Sequence, residues 1–159
     1  MASTAGKLLS LDAAVAWRRH LTGPLVFTNG VFDLLHPGHV EYLEAARALG
    51  QALLVAVNSD RSARGLDKGA ARPIADEHAR ARVVAGLAAV ARVILFDLPT
   101  PRECIEALRP DVLVKGGDYR RETIVGADLV EAAGGRVVTI PLVAGFSTTA
   151  LVERCRAAS

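Results

Sequence analysis

The stretch "TNGVFDLLHPGH", residues 28–39, places two of the chain's four histidines three positions apart around a Pro-Gly pair. Pro37 suits the first turn of a helix, where a missing N–H leaves nothing unpaired. His36 then falls at the cap or beside it, and His39, three residues on, shares its face. Both imidazoles would stand at a helix N-terminus, whose unpaired N–H groups already favour an anion. Gly38 has no side chain to keep a phosphate off the backbone. The chemistry this suggests is binding of an anion and stabilisation of charge. Metal ligation is a poorer reading, because two histidines at this spacing need further ligands and neither cysteine is near in sequence. The turn also lacks the G-x-G-x-x-G string of a dinucleotide site, and the chain has no G-x-x-x-x-G-K-[ST] loop.

Three later segments could serve the same site. "VNSD" brings Asn58 and Asp60 to the end of an apolar run, and Lys68, Arg72 and Arg80 follow, reading as a positively charged flap and its far side. "VKGGDY" carries Lys115, Gly116, Asp118 and Tyr119 as the backbone opens at two glycines. "GFSTT" sets Ser147, Thr148 and Thr149 at the start of a helix, a second anion-ready N-terminus in which a cap and a phosphate ligand can share one geometry.

The elements that must position these residues are legible in the hydrophobic period. Apolar runs of four to six residues alternate with segments of helical period, as in an α/β fold with a five-stranded parallel sheet. Strands are predicted at about 24–28, 52–58, 92–96, 111–115 and 136–140, each a continuous Val/Ile/Leu-rich run of the buried parallel kind. Helices are predicted at roughly 10–21, 38–49, 76–90, 101–108, 126–133 and 148–157, with Gly50 and Gly134-Gly135 where left-handed C-terminal residues are needed and Pro110 after another helix end. Ligands of such sheets bind beyond the carboxyl ends of the strands, where strand order reverses. The chemistry-bearing segments all lie just after predicted strands.

Composition bounds the function. With 159 residues, 51% of them hydrophobic, the chain can build one real core, read as a single domain over 1–159 with an early helix near 10–21 and a core near 24–157. A net charge of +2 spread along the chain argues against a dedicated nucleic-acid or membrane-surface binder. Cys104 and Cys155 share no metal-type spacing and read as reduced thiols in a cytoplasmic protein. The N-terminus lacks a signal-peptide pattern, and the apolar runs are too short to span a bilayer. Of 19 basic residues only Lys7, Lys68 and Lys115 are lysines, a scarcity that reads either as places where a compact point charge is needed or as chance.

The H-x-G-H string after a first strand resembles the cytidylyltransferase-like branch of the nucleotidyltransferase superfamily. The resemblance implies a Rossmann-like three-layer sandwich of the HxGH nucleotidyltransferase type. It implies that His36 and His39 contact the nucleotide's phosphates and stabilise the transition state, with Lys68 as a further catalytic cation. Thr28, Asn29, Gly30, Phe32 and Gly38 match the segment lining the nucleotide, and Asp33 matches a site carboxylate. Lys68, Arg72 and Arg80 match basic positions around the acceptor phosphate or the triphosphate.

More narrowly, "VKGGDY" closely resembles the corresponding segment of bacterial heptose 1-phosphate adenylyltransferases. "FTNGVFDLLHPGH", "VAVNSD", "RPI" and the late "STT" recur in the same order, so the resemblance covers about residues 24–155. It implies nucleotide contacts from Lys115, Gly116, Ser147, Thr148 and Thr149, and acceptor contacts from Asn58, Asp60, Asp118 and Tyr119. The chain departs from many relatives at "VAG", where they carry a polar residue, so Val143 and Ala144 receive no role. Many of that group are fused to a sugar kinase. None precedes the first strand here, so a separate heptose kinase is expected to supply the substrate.

The expected reaction is attack of the phosphate of D-glycero-D-manno-heptose 1-phosphate on the α-phosphorus of ATP, with Mg2+ entering alongside ATP and no resident metal. The activated sugar would serve lipopolysaccharide core or a related glycan. Such catalysis is chiefly positioning and charge spreading. The partners implied are ATP, a sugar 1-phosphate and a second copy in a homodimer, with neither nucleic acid nor membrane. Three readings stay open beside it: a CTP-dependent enzyme acting on glycerol 3-phosphate or phosphoethanolamine, a non-catalytic nucleotide-sensing module, and a flavodoxin-like carrier.

Overall fold

A computed structural model describes residues 3–66, 72–117 and 119–158. Five strands, β1 (Leu25–Gly30), β2 (Ala52–Asn58), β3 (Arg92–Phe96), β4 (Val112–Gly116) and β5 (Arg136–Ile140), form one parallel sheet in the order β3-β2-β1-β4-β5. The helices are α1 (Leu11–Arg18), α2 (Pro37–Arg47), α3 (Asp60–Arg64), α4 (Glu77–Gly86), α5 (Arg102–Leu108), α6 (Ala127–Ala132) and α7 (Thr148–Ala157). The side-chain alternation of each strand divides the core into two layers. Leu25, Phe27, Leu54, Ile94 and Leu113 pack with α1, α5 and α6, whereas Val26, Leu53, Val55, Val93, Val112 and Val114 pack with α2 and α4. No helix is long and apolar enough to cross a membrane, among the described residues.

All five predicted strands are present to within two residues at either end. The helices differ more. α1 and α4 are shorter than their periodic patterns, and α3 is a single turn started by the Ser59 cap, too brief for any period to reveal. Gly134 takes the left-handed conformation expected of it, with φ +84°. Gly50 does not, and its reason is space: a Cβ there would lie 2.6 Å from the Pro24 carbonyl oxygen. Before Pro110 it is Arg109, not a glycine, that turns left-handed, at φ +46°.

Strand order reverses at β1, and the sheet divides there. Pairing of β1 with β2 runs to Gly30–Val57, and pairing of β4 with β5 runs to Gly116–Ile140, but the pairs between β1 and β4 end at Phe27–Leu113. Side chains bridge the split. Thr28 Oγ1 donates to the Val114 carbonyl (3.0 Å) and Lys115 Nζ to Asn29 Oδ1 (2.7 Å). The crevice that α/β sheets offer to ligands thus opens at the carboxyl ends of β1 and β4.

Candidate active site

α2 begins at the crevice. His36 is its extended N-cap (φ −141°, ψ 168°) and Pro37 its first helical residue. The His36 backbone N–H donates to His39 Nδ1 (3.3 Å), and the two rings stack with centroids 3.9 Å apart. An Nδ1 that accepts leaves the neutral ring's proton on Nε2, so the bond sets which nitrogen of His39 donates outward. His36 Nδ1 is buried and has no hydrogen-bond partner among the described residues. Burial pushes its imidazole below the ordinary histidine value, against a smaller upward pull from its own backbone. Phe32 supports the pair from one side, its ring 5.6 Å from His39, in a left-handed backbone (φ +49°) that turns the chain out of β1.

α7 supplies the facing terminus. Ser147 caps it by accepting from Ala150 N–H (3.0 Å), Thr148 Oγ1 donates to the Leu34 carbonyl (3.2 Å), and Phe146 stands 6.0 Å from the His36 ring. A Cβ at Gly38 would meet His36 Nδ1 at 3.1 Å and Phe146 Cβ at 3.3 Å, so this glycine lets the two termini approach. Between them is a cavity of about 540 Å³. Its walls include Asn29, Gly30, Phe32, Asp33, His36, Gly38, His39, Arg72, Lys115, Gly116 and Tyr119, with Ser147, Thr148 and Thr149 from α7.

Asp33 and Arg72 reach this wall already engaged. The Asp33 carboxylate accepts from Arg72 Nε (2.6 Å), Ile74 N–H (2.9 Å) and Ala75 N–H (3.0 Å). Burial alone would raise its pKa, but the Ala75, Ile74 and Arg72 hydrogen bonds outweigh that and hold it below the ordinary value. Asp33 therefore anchors the segment that follows residues 67–71, and Arg72 faces the cavity from that anchor.

The structure places four predicted contacts elsewhere. Arg80, expected at a phosphate, is 1% exposed and lies behind the cavity wall. Its guanidinium donates to the Ala75 carbonyl (2.9 Å), the Val31 carbonyl (2.6 Å) and Asp60 Oδ1 (2.7 Å). Asp60 is thereby taken up as its counter-ion rather than facing a ligand. Thr28 is fully buried, and its hydroxyl bonds Val114 and the Tyr42 hydroxyl (2.7 Å) under the site. Asn58 is buried too, its amide donating to Ser62 Oγ (2.9 Å), and it borders a neighbouring cavity instead of the first. Lys68 and Asp118 lie outside the described residues.

Sequence reasoning passed over Tyr42, Leu142 and Phe146 and gave Val143 no role, yet all four line the cavity. Tyr42 was findable, since it lies three residues after His39 and so shares its face of α2. Its hydroxyl is pushed up to about 12 by burial, against the Thr28 hydrogen bond, so it is a neutral donor or acceptor. Leu142 and Phe146 carry no such signal, because only the return of the chain from β5 to α7 brings them there.

Comparison with known proteins agrees with this geometry. Residues 27–154 match the family described as cytidylyltransferase-like. The chain is 60% identical over 152 residues to the bifunctional protein HldE of Hyphomonas neptunium, covering 92% of this chain and 31% of that protein. It is 56% identical over 144 residues to HldE of Koribacter versatilis, covering 91% and 29%. The chain thus spans about three-tenths of the length of these relatives. Among solved structures, the lipopolysaccharide core biosynthesis protein from Thermoplasma volcanium is 31% identical, with a TM-score of 0.62 over 76% of this chain and 97% of that one. Pantothenate synthetase from Thermus thermophilus, 16% identical at a TM-score of 0.58 over 86% and 62%, shares the fold. A split parallel sheet, an H-x-G-H helix start facing a second capped helix, and a family match over most of its length together make this chain a member of the cytidylyltransferase-like family.

Proposed function

We propose that this chain transfers the adenylyl group of ATP to D-glycero-D-manno-heptose 1-phosphate, giving ADP-heptose and pyrophosphate. The observation that carries the reading is the meeting of two helix N-termini, α2 and α7, over one cavity that also holds His36, His39 and Lys115. Two N–H-rich termini, two imidazoles and an ammonium suit a triphosphate better than any neutral ligand. High identity to the HldE proteins supports the sugar as acceptor.

In this reaction an acceptor phosphate oxygen forms a bond to the α-phosphorus while the bond to the bridging oxygen breaks in line. Pyrophosphate leaves with that electron pair, and no covalent enzyme intermediate is needed. His39 offers the proton on Nε2 to a phosphate oxygen, its ring fixed by the His36 backbone and by the facing imidazole. His36 enters neutral and gains a proton more readily once an anion lies against it. Lys115 remains a point charge at the strand end, and Lys68 is proposed to close the cationic ring. Mg2+ is proposed to arrive on ATP, since the Asp33 carboxylate at the cavity wall is already engaged by Arg72 and two backbone N–H groups.

The reading extends to a kinase activity that supplies the sugar 1-phosphate, to a cytoplasmic setting where ATP is available, and to a homodimer. The test is pyrophosphate release with Mg2+ across ATP, CTP and GTP, against both heptose 1-phosphate anomers and glycerol 3-phosphate. Turnover with ATP and one heptose anomer is expected. Turnover with CTP and glycerol 3-phosphate alone would overturn the substrates, and binding of ATP without turnover on any acceptor would overturn the catalysis.

A further inference from the structure

Backbone pairing between β1 and β4 stops at Phe27–Leu113, yet the next residues in that register are still joined, by side chains. Thr28 bonds Val114, and Lys115 bonds Asn29. Alternation along β1 puts Thr28 on the same face as Val26, the face that α2 covers. There its hydroxyl meets the histidine helix, with Thr28 Oγ1 2.7 Å from the Tyr42 hydroxyl oxygen. Chemistry fixes the direction of this chain. The Val114 carbonyl has no proton to give, so Thr28 donates to it, and Tyr42 therefore donates to Thr28. Burial pushes the Tyr42 hydroxyl up to about 12, so the donated proton is in place at neutral pH.

The rest of the hold of α2 on the sheet is apolar. Leu43 and Ala46 are its buried residues, and apolar contact has no preferred direction, so it tolerates small slides and rotations of the helix. A hydrogen bond does not, because it requires both a distance and an angle. Tyr42 supplies such a bond from the middle of α2. Its ring also lies close beside β4, since a Cβ at Gly116 would meet Tyr42 Cε2 at 3.2 Å. Tyr42 thus spans the split, bonded to β1 through Thr28 and packed beside Gly116. His39 stands one turn ahead of it on the same face of α2, and Lys115 immediately precedes Gly116.

We propose that Tyr42 is a positioning residue, whose hydroxyl, bonded through Thr28 to Val114, sets where the first turn of α2 and hence His39 stands over the split. The inference rests on the adenylyl-transfer reading for its effect on turnover, but not for the placement of His39. Thr28, expected to line the nucleotide, then serves the site from beneath. Reacting groups need to be held to within about 0.5 Å, which a bond chain across the split provides and apolar packing alone does not.

Tyr42→Phe removes the donor but keeps the ring, and Thr28 keeps its bond to Val114, so no buried donor is stranded. The experiment measures kcat and both KM values by pyrophosphate release in wild type, Y42F, H39A, the double variant and T28S. It is joined by the histidine ring-proton NMR signals of the unliganded wild type and Y42F. The expected kcat of Y42F is lower by at least about tenfold, on the way to the roughly 10²-fold cost of a 1 Å misplacement, with both KM values within about threefold. Because Tyr42 acts through His39, the double variant should turn over within about twofold of H39A alone, whereas independent effects would multiply. T28S keeps the hydroxyl and should keep the wild-type kcat. In Y42F the His39 ring protons should shift, as α2 moves against the Phe32 ring 5.6 Å away, while those of the exposed His20 and His78 stay. A smaller loss of kcat, effects that multiply, or a T28S as impaired as Y42F would overturn the proposal. A raised KM with unchanged kcat would also overturn it, making Tyr42 a ligand contact. Absence of turnover in the wild type would refute adenylyl transfer and leave the NMR comparison to decide the positioning. Unmoved His39 signals overturn it in either case.

Discussion

Replacing Arg80 by Met tests whether this arginine is part of the scaffold or of the phosphate site. Its guanidinium makes three charge-assisted bonds, to the Ala75 and Val31 carbonyls and to Asp60, and its side chain is fully enclosed. Methionine keeps most of the apolar stem but strands two carbonyls and one carboxylate. Breaking a buried ion pair from one side costs about 3–5 kcal/mol. The Asp60 side chain is 23% exposed and can partly rehydrate, so the lower end, about 3 kcal/mol, is the expected loss. For a chain of this size that corresponds to a fall in Tm of about 6–12 °C. The assay is urea and thermal unfolding of wild type and R80M followed by circular dichroism. Arg80→Lys should recover a minority of the loss, since one ammonium cannot span three acceptors in the guanidinium's plane. A change below about 1 kcal/mol in R80M would refute the network account. Such a result, with a sharp rise in the KM of either substrate, would return Arg80 to the phosphate role that its position in the sequence suggested.

Further outcomes follow from the site and its frame. His39→Ala should leave the unfolding midpoint nearly unchanged and lower kcat by about 10²–10³, the scale of one preorganised donor; near-normal turnover in a pyrophosphate assay would remove His39 from the chemistry. The His36 imidazole, held below its ordinary value by burial, should titrate below about pH 6.5 in NMR spectra of the unliganded protein and move upward when MgATP binds; an unmoved midpoint would deny it a phosphate. Because the folded Asp33 pKa is depressed, its stabilising contribution is complete above about pH 4 and is lost as pH falls through the folded value. Asp33→Asn should therefore flatten the acid limb of the stability curve, and an unchanged limb would show the Asp33 bonds to be unimportant. Gly50→Ala should destabilise by about 1–3 kcal/mol in denaturant unfolding, because the new methyl meets the Pro24 backbone as well as the Val26 side chain; a neutral result would refute close packing of the α2–β2 turn against Pro24.

Local chemistry made much of this protein readable from its residues. Each strand is a continuous Val/Ile/Leu run because both faces of a parallel sheet are covered, and that needs no knowledge of neighbours. The helix starts at His36-Pro37 and Ser147 were visible because a cap is decided within four residues. The family resemblance rests on these same short strings. What the sequence left ambiguous were charges whose partners are remote. Arg80 and Val31 are 49 positions apart and Arg72 and Asp33 are 39 apart, so nothing near either arginine distinguishes a buried ion pair from a phosphate ligand. Only packing decides which cations remain at the cavity, since burying one without a partner is too costly to persist. The tertiary structure alone also set the order β3-β2-β1-β4-β5 and the early end of the β1–β4 ladder, from which both cavities arise. Residue types and spacing determined which groups could serve a phosphate-binding site; the fold of the chain across its sheet decided which of them face the cavity.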